Sequence, residues 1–202
     1  MRLYFDTEFT GLQKDTTLIS LGIISENNKC FYAKFTDYNQ EQIDNWIQEN
    51  VLDNLELSDE ITLNYDVTDV EGTKDEVREA LYDWLGSFGD VNFELVSDVC
   101  HYDMVLFIDI FGNAFELPDN ISPCCYDINQ DIYYLYDNIT MQEAFDKNRE
   151  ELLMELTTNA PREIEKIGNE VLALGEDCKH NSLYDAIVIK ALRDVMVAMT
   201  LS

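Results

Sequence analysis

Positive charge is scarce in this chain: 13 Lys and Arg stand against 41 Asp and Glu in 202 residues, a formal net charge of -28. Proteins that bind phosphate backbones normally present a basic footprint, so this balance argues against extended electrostatic binding of nucleic acid. The few cations are also unevenly placed. Between Lys34 and Lys147 only Lys74 and Arg78 occur, whereas Lys147, Arg149, Arg162, Lys166, Lys179, Lys190 and Arg193 crowd the C-terminal third. Any phosphate-facing surface would draw on that third; a solvated, mixed-charge helical surface is the plainer account of the same residues.

Other absences narrow the class further. No apolar run approaches the roughly 18 residues needed to span a bilayer, and Met1-Arg2 lead straight into a strand-like segment without a signal-peptide core. A soluble, cytoplasmic protein with no membrane partner is expected. The five cysteines (Cys30, Cys100, Cys124, Cys125, Cys178) are an odd set without CxxC spacing, so reduced thiols are expected rather than a disulfide framework. No Pro/Gly-rich linker, internal repeat or low-complexity tract marks a boundary, which predicts one domain over residues 1–202. The 46% hydrophobic content, with 10 Phe and 11 Tyr, is enough for a real core.

What is present alternates first and then turns helical. Residues 2–8, 17–25 and 29–35 read as strands, and Glu26-Asn27-Asn28 supplies turn chemistry for a hairpin between the second and third. A helix is expected over 40–57, where Ile43, Trp46, Ile47 and Val51 are helically spaced. A stronger one covers 74–88, with Val77, Ala80, Leu81, Trp84 and Leu85 in one stripe. A fourth strand (91–96), a helix (102–111) ended by Gly112, a fifth strand (124–128) and helices over 140–156, 161–174 and 182–200 complete the reading. The order predicts an α/β fold: a mixed five-stranded sheet with an antiparallel three-strand meander, flanked by helices, with an extra C-terminal helical segment. Residues 137–179 form the expected helical insertion.

Three blocks carry chemistry. In the first, YFDTEFTGL, strand alternation sends Tyr4, Asp6 and Glu8 one way and Leu3, Phe5 and Thr7 the other. Burying two like charges costs several kcal/mol, on the order of the penalties for unpaired ions. That strand end is therefore open to solvent or faces something positive. In the second block, SDVCHYDMVLFIDIFG, Asp103 falls in the first turn of a helix, where the dipole favours an anion. Asp98 and Asp109 are nearby alternatives, and Asp98 could simply cap the turn. In the third, KHNSLYDAIVIKALRDVMVAM, His180 precedes a long amphipathic helix, Asn181 or Ser182 is a natural N-cap, and Asp185 lies one turn in. His180 and Asp185 can aim at one cavity; equally, His180 can be a surface loop residue and Asp185 a helix-start stabiliser.

Together, Asp6, Glu8, Asp103 and Asp185 form a hard-oxygen set suited to Mg²⁺ or Mn²⁺. Two such ions roughly 3.5–4 Å apart can clamp the attacking and leaving oxygens of a phosphodiester. A rival zinc set from Cys100, His101, Cys178 and His180 lacks the spacing of structural zinc sites.

These blocks resemble the three motifs of the DEDDh group of 3′-to-5′ exonucleases. DTEFTGL is similar to the first motif, CHYDMVLFIDIFG to the second with its single Asp, and HNSLYDA to the third, HxAxxD. Their order along the chain also fits. The group includes RNase T, oligoribonuclease and proofreading subunits on an RNase H-like fold. The resemblance implies that Asp6, Glu8, Asp103 and Asp185 hold two divalent ions and that His180 is the general base for the attacking water. An imidazole, with an unperturbed pKa near 6.5, suits that role. The product would be a nucleoside 5′-monophosphate released from the 3′ end of single-stranded RNA or DNA, with RNA the favoured substrate. Phe9, Thr10, Gly11 and Leu12 are the implied substrate-binding residues. The backbone around Glu8 to Thr10 would receive the terminal ribose, and Phe9 and Leu12 would pack against bases, worth roughly 1–3 kcal/mol per base. Alternation alone would instead put Phe9 with Phe5 on the core face, unless the strand has already ended. A homodimer is implied too, because relatives such as RNase T pair to build their sites. The chain departs from the pattern at 97–102 (SDVCHY), where an Asn commonly precedes the Asp, and at Ser182, where Ala is usual. With the long 137–179 segment, these departures point to a divergent small exoribonuclease branch. A different class competes with this reading: an acidic, non-enzymatic mimic of nucleic acid that occupies a partner's basic groove.

Overall fold

The computed structural model describes residues 1–175, 178 and 180–200. The first strand, β1 (Arg2–Phe9), pairs antiparallel with β2 (Leu18–Ser25), and β2 pairs antiparallel with β3 (Lys29–Phe35). This is the expected meander, its β2–β3 turn carried by Asn28 in the left-handed region. β5 (Phe93–Ser97) joins the other side of β1 in parallel, and β6 (Ile121–Asp127) pairs in parallel with β5.

The sheet has six strands rather than five, in the order β4-β3-β2-β1-β5-β6. The extra strand, β4 (Asp66–Gly72), runs parallel to β3 at the sheet edge. Its sequence, DVTDVEG, is mostly exposed and acidic, so it lacks the apolar run that marks an interior strand. Only Val67 and Val70 reach the core, from opposite faces.

The single helix expected over 40–57 is broken. Asp44 caps α1 (Asn45–Asn50) by accepting from the Ile47 amide, and single 3₁₀ turns lie on either side of it. A short α2 (Asp59–Asn64), capped by Ser58, follows. Asn, Asp and Ser compete for backbone hydrogen bonds and so chop an otherwise helical pattern into capped pieces. The predicted 74–88 helix is α3 (Lys74–Gly86), opened by a reciprocal capping box between Thr73 and Glu76. The second chemical block forms α4 (Cys100–Ile110).

After β6 come α5 (Ile128–Leu135), α6 (Met141–Phe145), α7 (Arg149–Thr157), α8 (Arg162–Leu172) and α9 (Ser182–Thr200). The helix expected over 140–156 is thus two, because Asn148 caps a fresh start at Arg149. The end of the 137–179 segment includes Glu176, Asp177 and Lys179, which lie outside the described residues.

Two apolar layers sandwich the sheet. Tyr4, Ile24 and Tyr32 face α5, α7, α8 and α9, while Leu3, Phe5, Ile23 and Phe31 face α3 and α4. All eight β2 residues are buried, as befits a strand covered on both faces. The five cysteines are free thiols, with the sulfurs of Cys100 and Cys125 2.9 Å apart between α4 and β6. Among the described residues, no helix is long and apolar enough to cross a membrane.

Candidate active site

Asp6 and Glu8 continue the face of β1 that Tyr4 begins, so they emerge on the α9 side of the sheet. Across the β1–β2 ladder, Asp6 faces Gly22 and Glu8 faces Ser20. Those two small residues let α9 settle directly on the sheet. A Cβ at Gly22 would lie 2.2 Å from the Leu183 amide nitrogen, and Ser20 shares a 2.9 Å hydrogen bond with Ser182. Ser182 therefore fastens the helix start to β2.

Asn181 completes the junction. Its side-chain oxygen accepts from the Leu183 and Tyr184 amides, and its Nδ2 donates to the Tyr32 hydroxyl and the Asn54 carbonyl. It is one of the two N-caps the sequence offered. One turn on, Asp185 enters the cleft beside Asp6 and Glu8. His180 immediately precedes the cap in a left-handed conformation (φ 60°) and lines the same cleft. Sequence spacing left His180 and Asp185 open between one cavity and a bland loop-and-helix reading. The fold puts both in one cavity.

Asp103 arrives from the opposite layer. It is 1% exposed and accepts hydrogen bonds from Thr7 Oγ1 at 2.7 Å and from Ser97 Oγ. Asp98, weighed as an alternative, also lines the cleft. Asp109 does not; it pairs with Lys74 at 2.9 Å elsewhere.

The cleft measures about 550 Å³. Six carboxylates line it, from Asp6, Glu8, Asp98, Asp103, Glu150 and Asp185, and Arg149 is the only Lys or Arg among its described residues. The acids form two overlapping sets, Asp6-Asp98-Asp103 and Asp6-Glu8-Asp185, whose oxygens within each set lie within 4.8 Å of one another. Two unit charges at that separation repel by about 3.5 kcal/mol at an effective dielectric constant of ~20.

The consequence is a strong bias toward protonation. Burial first, then the neighbouring carboxylates, pushes Asp6, Glu8 and Asp185 well above the usual carboxylate range. Burial also lifts Asp103, to about 7, against the opposing pull of its Ser97 and Thr7 hydrogen bonds. Ionised together, these groups require compensating positive charge. Hard divalent cations match such an all-oxygen set. Among the described residues, no group of three potential ligands includes a thiol or imidazole, so the rival zinc set does not assemble.

Phe9 and Leu12 line the cleft, whereas Thr10 and Gly11 do not. The ladder shifts register between Glu8 and Phe9, which swings Phe9 off the plain alternation and stacks it on Tyr102 (centroids 5.3 Å, 12°). Thr10 is buried, its hydroxyl accepting from the Thr17 amide and bonding Gln42. Gly11 turns the chain at φ 129°, returning the exposed Leu12 to the cleft mouth.

Two contributions escaped the sequence reading. Trp46, half-exposed on α1, packs edge-on against His180 at 5.2 Å. Phe145, Asn148, Arg149 and Glu150 bring the helical insertion into the cleft wall. Of the described cations in the C-terminal third, Arg149 is the one that lines the cleft; Lys166, Lys190 and Arg193 pair with acids on the helical layer.

No protein-family model matches the chain. A 3′-5′ exoribonuclease of Mycobacterium tuberculosis, from two strains, is 26% identical over 121 residues, which is 60% of this chain and 67% of that protein. Among solved structures, cell-death related nuclease 4 superposes with a TM-score of 0.53 at 13% identity over 98% of this chain. The likeness is one of fold. This chain spans 64% of the length of that nuclease.

Proposed function

We propose that the protein is a 3′-to-5′ exonuclease that shortens single-stranded nucleic acid, RNA in preference to DNA, using a DEDDh-type site on an RNase H-like fold. One observation carries the reading: Asp6 belongs to two carboxylate sets at once, so two divalent cations would each find an all-oxygen set that includes it. The exoribonuclease name of the Mycobacterium tuberculosis relatives supports it and favours RNA.

Asp6, Glu8 and Asp185 would hold one Mg²⁺ or Mn²⁺, and Asp6 with Asp103 a second. When bound, these ions would offset the charge developing on the phosphoryl oxygens and would make water nucleophilic near neutral pH. His180 takes a proton from the attacking water as its oxygen bonds to phosphorus. The bond from phosphorus to the 3′ oxygen of the preceding nucleotide breaks, and that oxygen takes up a proton from solvent water. A nucleoside 5′-monophosphate leaves, and the shortened strand ends in a new 3′ hydroxyl. Phe9 and Leu12 pack against the terminal bases, and the exposed face of Trp46 beside His180 offers a further stacking surface. Thr10 and Gly11 act indirectly, by shaping the loop that presents Leu12. Pairing of two copies is part of the reading.

The test is a time course on 5′-labelled single-stranded RNA and DNA of one sequence, with Mg²⁺ or Mn²⁺ and with Asp6→Ala as control. A ladder shrinking from the 3′ end, faster on RNA and absent in the variant, is expected. No shortening of either strand with either metal would overturn the reading and leave the acidic mimic as the leading account.

A further inference from the structure

The cleft wall contributed by the helical insertion is held by one side chain. Arg149 opens α7 with its side chain 14% exposed, and its Nε donates to Asp98 Oδ2 at 2.8 Å. Nη1 donates to the carbonyls of Ala144 (3.1 Å) and Lys147 (2.8 Å). Nη2 donates to Asn129 Oδ1 (2.6 Å) and to the Phe145 carbonyl (3.3 Å). All five guanidinium N–H bonds are thereby engaged, so Arg149 has none left for a substrate phosphate.

Asn129, itself 2% exposed, links the Arg149 guanidinium back to the main chain of Asp98. Its Nδ2 donates to the Asp98 carbonyl at 2.6 Å and to Asp127 Oδ1 at 2.8 Å. Asp98 is therefore gripped by both its main chain and its side chain. Without that grip, repulsion from Asp6 and Asp103 would favour a rotamer turned out of the cleft. With it, one Asp98 oxygen is tied to Arg149 and the other is not committed to that ion pair.

We propose that Arg149 is a positioning residue of the nuclease site: through Asp98 and Asn129 it holds a fifth carboxylate beside Asp6 and Asp103, and Asp98 thereby strengthens binding of the second cation. This rests on the exonuclease reading above. It also gives a physical role to two features the motifs leave unexplained, the departure at 97–102 and the long helical insertion. The insertion brings the guanidinium, and the departure brings its carboxylate.

The test separates metal binding from turnover. Mn²⁺ binding to the protein without nucleic acid is measured by calorimetry for the wild type, Asp98→Asn, Arg149→Lys, Arg149→Met and Asp98→Asn/Arg149→Met. Circular dichroism and thermal denaturation verify folding. Two Mn²⁺ are expected in the wild type. One of them should weaken ~10–100-fold in both Asp98→Asn and Arg149→Met, the range for groups that orient ligands. The double variant should be no worse than either single one, and Arg149→Lys should recover part of the loss. Wild-type Mn²⁺ binding in a folded Asp98→Asn or a folded Arg149→Met overturns the inference; if Arg149→Met fails to fold, Asp98→Asn and the conservative Arg149→Lys carry the test, and wild-type binding in Asp98→Asn still overturns it. Selective weakening in a protein that degrades no strand supports the positioning role while sinking the exonuclease reading. A wild type that binds no Mn²⁺ overturns both.

Discussion

Asp6 is the residue on which both carboxylate sets depend, and its removal should have opposite effects on activity and on stability. Asp6→Asn keeps the shape but takes one charge from each set. Activity on a single-stranded RNA end should fall by ~10²–10³-fold or more. The metal-free protein should melt at a higher temperature than the wild type, because a buried like charge has gone; an unchanged or lower melting temperature would contradict the repulsion argument. The pH dependence has a definite sign. Folded Asp6, Glu8, Asp103 and Asp185 retain protons that the unfolded chain releases near pH 4, so the native state binds more protons between that value and their raised ones. Stability of the metal-free protein therefore falls as pH rises through this window, which for Asp103 extends to about 7. Thermal denaturation in chelator and in Mn²⁺ should show a large metal-induced rise at pH 8 and a small one at pH 5. Equal rises at both would show that the carboxylates are not ionising together.

The five residues carried by the motifs were legible because their types and spacing are local. Asp98 was visible only as one acid among several. Its partner lies 51 residues away, and no local pattern connects the two.

At the scale of elements, the site depends on how closely α9 approaches β2. Gly22 sits within TLISLGIIS, which reads as an ordinary buried strand, and nothing in that stretch announces a crossing helix. The structure shows that any side chain there meets the Ser182–Leu183 backbone, a wall that cannot rotate aside. Gly22→Ala should cost ~1–3 kcal/mol of stability by overpacking. Where the protein still folds, it should also lower turnover, because α9 carries Asp185 while Asp6 stays on β1. Denaturant unfolding together with kcat and KM on a short RNA would show this; a stable, fully active variant would mean the helix can lift without harm. The long amphipathic elements were legible from their periodicity. The edge strand β4 and the breaks around Asp44 and Asn148 were not, since an exposed strand needs few apolar residues and a capping side chain acts against the hydrophobic pattern.

At the scale of the whole molecule, the charge of -28 sets the field in which a polyanion approaches. Most nucleic-acid-binding proteins lose affinity as salt rises, because counterions are released. Here long-range repulsion should dominate the encounter, and the Debye length shrinks from roughly 30 Å at 0.01 M to about 8 Å at 0.15 M. With saturating Mg²⁺, kcat/KM on single-stranded RNA should therefore rise as monovalent salt increases over that range. A steep fall would reveal a basic track that the lining of the cleft does not contain.

The carboxylates of β1 lie near one end of the chain and Asp185 near the other, and this imposes an order in time as well as in space. During synthesis Asp6 and Glu8 emerge first, yet the Asp6-Asp98-Asp103 set is complete only with Asp103 and the Asp6-Glu8-Asp185 set only with Asp185. At roughly 5–20 residues per second that wait lasts about ten seconds or more. On the exonuclease reading proposed above, the growing polypeptide would for all of that time lie beside the RNA being translated without a complete site to cut it.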